Sequence, residues 1–220
     1  MNKESLMNRF LVDNPNLQKD QSTILAMVKT IIDCYKSGGK LLICGNGGSS
    51  ADSDHIVGEL MKGFDLRRPL SDTMKSALEK EYGDKVVANQ LQWGLPAISL
   101  TQHAALIFAT SNDIDPDLVF AQQVAGYGRE NDVLLGISTS GHATNVNHAV
   151  RVGKALGLRT LALTGKTGGE LAQYAELSLV APAMETYRIQ EYHLAVYHVI
   201  CLLVEEELFG ENGWLYEPRH

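Results

Sequence analysis

The stretch Lys40-Leu-Leu-Ile-Cys-Gly-Asn-Gly-Gly-Ser-Ser-Ala-Asp-Ser-Asp-His-Ile-Val-Gly-Glu59 limits the folds open to this chain more than any other. Leu41, Leu42, Ile43 and Cys44 form an unbroken apolar run, which fits a strand buried on both faces. Gly45, Gly47 and Gly48 then allow a tight turn, and Ile56, Val57, Leu60 and Met61 recur at helical spacing. The unit reads as strand, glycine turn, helix. In such a unit the turn N–H groups and the positive end of the helix dipole face one spot, which suits an anion such as a phosphate. His55 and Glu59, four residues apart, share a helix face.

The same alternation continues along the chain. Ile24, Met27, Val28, Ile31 and Tyr35, with Leu17 earlier and a break near Pro15, predict a helical arm in two pieces over residues 1–37. Further strands are predicted at 95–100, 132–141, 158–165 and 177–181. Helices are expected at 104–110, 118–127, 144–157 and 169–175, and a long one at 186–209. Ser111 to Asp117 reads as a turn cluster. Residues 71–83 have capping residues and good helix formers but no strong apolar face, so 70–94 reads as an insertion or lid. Five strands alternating with helices predict an α/β fold, a three-layer sandwich around a five-stranded parallel sheet, in a single domain over 1–220.

Charge and composition narrow the function. With 19 Lys plus Arg against 26 Asp plus Glu, the formal net charge is −7 and no basic run stands out, which disfavours nucleic acid as the main partner. No stretch approaches the ~18 apolar residues of a membrane span, and the start lacks a signal-peptide core, so a cytoplasmic protein is expected. Cys34, Cys44 and Cys201 are odd in number and sit among apolar neighbours, which predicts buried, reduced thiols.

Ligands of open parallel sheets bind beyond the carboxyl ends of the strands. Two hydroxyl-rich loops fall there: Gly45-Asn-Gly-Gly-Ser-Ser50 and Ser138-Thr-Ser-Gly141. The first is neither a dinucleotide fingerprint nor a P-loop, so no nucleotide cofactor is expected. Each loop alone is equally well a structural turn; together they suit a phosphate monoester on a small metabolite. Lys166, in the loop after the fourth strand, reads as solvated. On the last helix, His193 and His198 fall about 60° to one side and about 80° to the other of Gln190. A histidine on an apolar helix is ordinarily a core residue, but Glu59 has few other candidates for an acid or base partner.

Cys44-Gly-Asn-Gly-Gly-Ser49, His55-x-x-x-Glu59, Leu134-Leu-Gly-Ile-Ser-Thr-Ser-Gly141, Leu163-Thr-Gly-Lys166 and Arg188-Ile-Gln-Glu-x-His193, with His198 beyond, together resemble the sugar isomerase (SIS) domain family, and within it the phosphoheptose isomerases. The resemblance implies a flavodoxin-like five-stranded sandwich, a homotetramer with sites between subunits, and aldose–ketose isomerisation of sedoheptulose 7-phosphate for cell-surface polysaccharide. By position, Glu59 would be the general base and His198 the acid and base acting on the sugar oxygens. Asn46, Gly47, Gly48, Ser49, Ser138, Thr139 and Ser140 would hold phosphate or sugar, with Gln190, Asn112 and Asp113 near the substrate. Some members bind zinc, which here would use His55, Glu59, Gln190 and His198.

Three departures stand out against that pattern. Ser140-Gly-His-Ala143 replaces Ser-Gly-Asn-Ser, residues 70–94 lengthen a connection, and Tyr187 takes an acidic residue's place. Two other readings compete: a non-catalytic adaptor that binds the replication initiator, and a sugar-phosphate sensor whose lid reports occupancy.

Overall fold

The computed structural model describes residues 2–210. Two helices precede the sheet, α1 (Lys3–Asp13) and α2 (Gln21–Lys36), joined by a 3-10 turn over Pro15–Asp20. The break expected near Pro15 is therefore present. Strand β1 (Leu41–Gly45) leads through the glycine turn into α3 (Gly48–Leu60). Two short helices follow, α4 (Asp72–Tyr82) and α5 (Val86–Gln90), before β2 (Ala97–Ser99). Then come α6 (Ala104–Asp113), α7 (Val119–Tyr127), β3 (Val133–Ser138), α8 (Thr144–Ala155), β4 (Arg159–Gly165), α9 (Leu171–Tyr174), β5 (Leu177–Ala181) and α10 (Thr186–Phe209).

The five strands form one parallel sheet in the order β2-β1-β3-β4-β5. Side chains alternate between its faces, so each strand feeds two cores. Leu41, Ile43, Val133, Leu135, Ile137, Leu161 and Leu163 point into a layer shared with α2 and α10. Leu42, Cys44, Leu134 and Ala162 point the other way, against Val124 of α7 and Val146 and Val150 of α8. Each fully buried Leu, Ile or Val contributes roughly 1.5–3 kcal/mol of transfer free energy, so continuous apolar strands are what a sheet covered on both sides requires. All three cysteines are buried free thiols, as expected.

Strands β2 and β3 are shorter than the predicted 95–100 and 132–141. The 104–110 helix continues to Asp113, carrying Asn112 and Asp113 out of the turn cluster and onto the last turn of α6. Ser111 assists by returning its hydroxyl to the Ile107 carbonyl at 2.8 Å, so a residue read as a turn former serves the helix instead. Within 70–94, Ser71 caps α4 by accepting from Met74 N–H, and none of the α4 side chains is buried. At the neck of this excursion Pro69 bridges to Gln92 in antiparallel fashion, and α4 packs mainly on α5.

Candidate active site

The register of the sheet sets the site. Gly45 at the end of β1 pairs with Ile137, and Ser138 at the end of β3 pairs with Thr164, so the two hydroxyl-rich loops leave the sheet side by side. Asn46 and Asn145 join them through two reciprocal amide hydrogen bonds of 2.8 and 3.1 Å. Gly47 turns with φ 57° and ψ −122°, a left-handed conformation that disfavours a side chain. A cleft of about 290 Å³ opens beside this turn, lined by Gly45, Asn46, Ser50, Thr101, Ser111 and Asn145 among others.

The loops are more self-satisfied than an open anion cradle. Ser49 and Ser50 donate their N–H groups to Asn46 and Gly47 carbonyls. Ser138 Oγ accepts from Gly141 N–H and Ser140 Oγ from His142 N–H, both at 3.2 Å, so these hydroxyls shape their own loop. Ser49 and Ser138 are buried, Thr139 and Ser140 half-buried, and Asn46, Gly47 and Gly48 exposed. Asn112 and Asp113 are exposed, bonded to each other at 2.7 Å, and lie outside the cleft lining, as do Glu59 and His198. His142 is exposed, with its Nδ1 4.0 Å from the Glu170 carboxylate.

The titratable groups gather on α3 and α10. Glu59 Oε1 lies 3.1 Å from His55 Nε2, and its other oxygen accepts from Lys62 Nζ at 3.3 Å. His198 Nε2 reaches the same His55 nitrogen at 3.4 Å, with the two rings edge to face. Glu59, His55 and His198 of one chain thus form a continuous row. His193 goes elsewhere: it is fully buried, and its Nε2–H donates to the Thr164 carbonyl at 3.0 Å. The roughly 140° between the two histidines around the helix is what sends one under the sheet and the other to the site.

Behind the row stand two residues that sequence reading passed over. Tyr197 is 2% exposed, and its hydroxyl lies 2.9 Å from His55 Nδ1 while donating to Asp52 Oδ1 at 3.3 Å. Burial lowers the His198 pKa, and the neighbouring His55 lowers it further, against an opposing pull from Glu59. The balance favours the neutral imidazole. Burial raises the Asp52 carboxyl, although the Tyr197 hydrogen bond opposes the shift, and burial with Asp52 beside it raises the Tyr197 phenol. A signal for Tyr197 was present: it lies seven residues after Gln190, hence on the same helix face.

Gln190 packs against the glycine turn. A Cβ on Gly48 would overlap the Gln190 amide nitrogen, so the absent side chain is what admits the carboxamide to the loop. Two imidazoles, a carboxylate and an amide oxygen have the chemistry zinc accepts. Their arrangement does not match a metal cage, because the Gln190 amide packs at the Gly48 turn, eight residues (~12 Å) along α10 from His198, and does not join His55, Glu59 and His198 in one chain. Among the described residues no three His, Cys, Asp or Glu side chains are placed to hold a metal ion.

Comparison with known proteins agrees with this architecture. The SIS domain family matches residues 15–83 and 87–165. The phosphoheptose isomerase of Clostridium acetobutylicum is 37% identical over 204 residues, 93% of this chain and 90% of that protein. That of Citrifermentans bemidjiense is 40% identical over 186 residues, 84% of each. Among solved structures, the phosphoheptose isomerase of Neisseria gonorrhoeae superposes with a TM-score of 0.70 at 30% identity, covering 91% of this chain and 93% of that one. One from Francisella tularensis gives 0.70 at 29% identity, over 91% and 92%. With a common fold and most of the length shared, the chain belongs to the SIS domain family and, within it, to the phosphoheptose isomerases.

Proposed function

We propose that this chain interconverts sedoheptulose 7-phosphate and heptose 7-phosphate by proton transfer through an enediol. The observation that carries the reading is the Glu59–His55–His198 row, with two hydroxyl-rich loops side by side at the carboxyl edge of the sheet, at the opposite end of α3. A carboxylate and an uncharged imidazole are what the reaction needs. Glu59 takes a proton from C1 of the ketose and returns it to C2. His198 takes the O1 hydroxyl proton and supplies one to O2. The C1–H and O1–H bonds break and the C2–H and O2–H bonds form, so the exchange balances.

The phosphate end falls to Asn46, Gly47, Gly48, Ser49, Ser138, Thr139 and Ser140, with Gln190 orienting the sugar. The cleft beside these loops does not include Glu59 or His198, which supports a site completed by another copy in a homotetramer. Exposed apolar side chains on the arm and on α6, among them Val12, Leu25, Leu106 and Phe108, support the same assembly. Among the described residues no helix is long and apolar enough to cross a membrane.

The reading is tested by incubating purified protein with sedoheptulose 7-phosphate and following the aldose product. Turnover in wild type and its near loss in Glu59→Gln is the expected result. No turnover in wild type would overturn it in favour of the adaptor or sensor, and undiminished turnover in Glu59→Gln would overturn the mechanism that makes Glu59 the base.

A further inference from the structure

We infer that Arg68 and Glu205 are positioning residues whose buried ion pair holds the base on α3 at a fixed place relative to the histidine on α10. The inference rests on the isomerase reading for its kinetic readout, although the geometry stands by itself. Arg68 is 0% and Glu205 1% exposed. Arg68 Nε donates to Glu205 Oε1 at 2.7 Å, while its two remaining nitrogens donate to the Leu60 carbonyl at 2.6 Å and the Glu59 carbonyl at 3.2 Å. Those carbonyls end α3, where helix acceptors lack intrahelical partners and where a cation is favoured by the helix dipole, and the Leu60 carbonyl also accepts from Leu95 N–H at 2.9 Å.

Glu205 completes the brace from the other side. Besides Arg68 it accepts the backbone N–H groups of Phe64, Asp65 and Leu66 at 2.8, 2.8 and 3.0 Å, so the chain leaving α3 is wrapped around one carboxylate. Glu205 lies seven residues beyond His198, two turns along the same face of α10. The Glu59 backbone and the His198 side chain, on separate elements, are thereby referenced to each other through a single pair. The neck of the 70–94 excursion closes on the same arginine: Arg68 N–H donates to Gln92 Oε1 at 3.1 Å, and Trp93 N–H donates to the Arg68 carbonyl at 2.8 Å.

Stability alone is a weak reason for such a pair. Desolvating two charges costs much of what their attraction returns, and well-packed apolar replacements are often neutral or stabilising. Geometry is the better reason, because a guanidinium fork fixes direction where an apolar contact does not. A base displaced by about 1 Å can cost on the order of 100-fold in rate.

The test compares wild type, Arg68→Lys and the charge-free double variant Arg68→Met/Glu205→Leu, each scored by thermal melting, by kcat and KM with sedoheptulose 7-phosphate, and by crystal structure. For the double variant, which also strips the Phe64, Asp65 and Leu66 N–H groups of their acceptor, the expectation is a lowered melting temperature, with kcat of the folded protein lowered roughly 10- to 100-fold, KM changed far less, and the end of α3 shifted against α10. Arg68→Lys, which keeps the charge but cannot span three acceptors, should fold and show an intermediate kcat. A folded double variant with wild-type kcat, or with α3 and α10 unmoved, overturns the inference. If the double variant does not fold, wild-type kcat in Arg68→Lys overturns it instead. Absence of turnover in wild type is a failure of the isomerase reading alone, and the crystallographic comparison still decides the brace.

Discussion

The Nε2 atoms of His55 on α3 and His198 on α10 lie 3.4 Å apart, and the same His55 nitrogen is 3.1 Å from Glu59. His55 thus stands between the two groups proposed to move protons. Replacing either mover should cost more than replacing the residue between them. Glu59→Gln and His198→Gln are expected to lower kcat by roughly 10²–10⁴-fold. His55→Gln, which forfeits a hydrogen bond to a charged group, is expected to lower it about 10-fold. Steady-state assays on the three variants check the ranking, and a His55 effect as large as that of Glu59 would give His55 a direct part in the chemistry.

Tyr197→Phe removes one hydroxyl and leaves two groups without it, His55 Nδ1 and Asp52 Oδ1. Asp52 Oδ2 already lacks a partner among the described residues, so its carboxyl has no replacement donor at hand. The expected loss is about 1–2 kcal/mol of unfolding free energy, read by urea titration. A neutral substitution would mean that water takes the place of the phenol.

Gly48→Ala drives a methyl group into the Gln190 amide, the far end of a flexible side chain. Gln190 turns away, and the backbone need not move. Stability should therefore change by less than about 1 kcal/mol, while KM for the sugar phosphate rises severalfold. Parallel melting and kinetic measurements separate the two effects.

Burial is the chief cause of the lowered His193 pKa, although its hydrogen bond to Thr164 opposes the shift. The folded chain then binds fewer protons than the unfolded chain below the ordinary imidazole value of 6.5. Stability must accordingly rise with pH through that window, and it is lost on acidification with a slope of at most about 1.4 kcal/mol per pH unit. His193→Gln, which can still donate to the Thr164 carbonyl, should show a shallower loss between neutral and mildly acidic pH. Equal slopes in denaturant titrations would count against a neutral, buried His193.

Cys34, Cys44 and Cys201 are buried, and their thiols are pushed up to about 12, chiefly by desolvation. The native protein should resist thiol reagents at neutral pH, and all three sites should react once it is unfolded in denaturant. Rapid labelling of the native chain would point to local opening around the thiol concerned.

Much of the fold is legible in the residues because its signals are local. A four-residue apolar run ended by a glycine turn fits a strand buried on both faces, three glycines make the turn, and helical spacing from Ile56 follows from one period. The long helix Thr186–Phe209 and the break at Pro15 were readable in the same way. Asn112 and Asp113 were misplaced into a turn because Ser111, a turn former by propensity, hydrogen-bonds back along its own helix.

The sequence by itself determined the parallel sheet, the two hydroxyl-rich loops and the His55/Glu59 pair, since each depends on neighbours within a few positions. Only the tertiary structure decided which histidine of α10 meets that pair. Helix periodicity separates His193 from His198 without saying which faces the sheet, and packing of α10 buries the first under Thr164 and brings the second to His55. It likewise brought Tyr197 to Asp52 across 145 residues, and Arg68 to Glu205 across 137. Contacts of that separation leave no periodic trace in a single chain, because they exist only once the sheet has laid α3 beside α10.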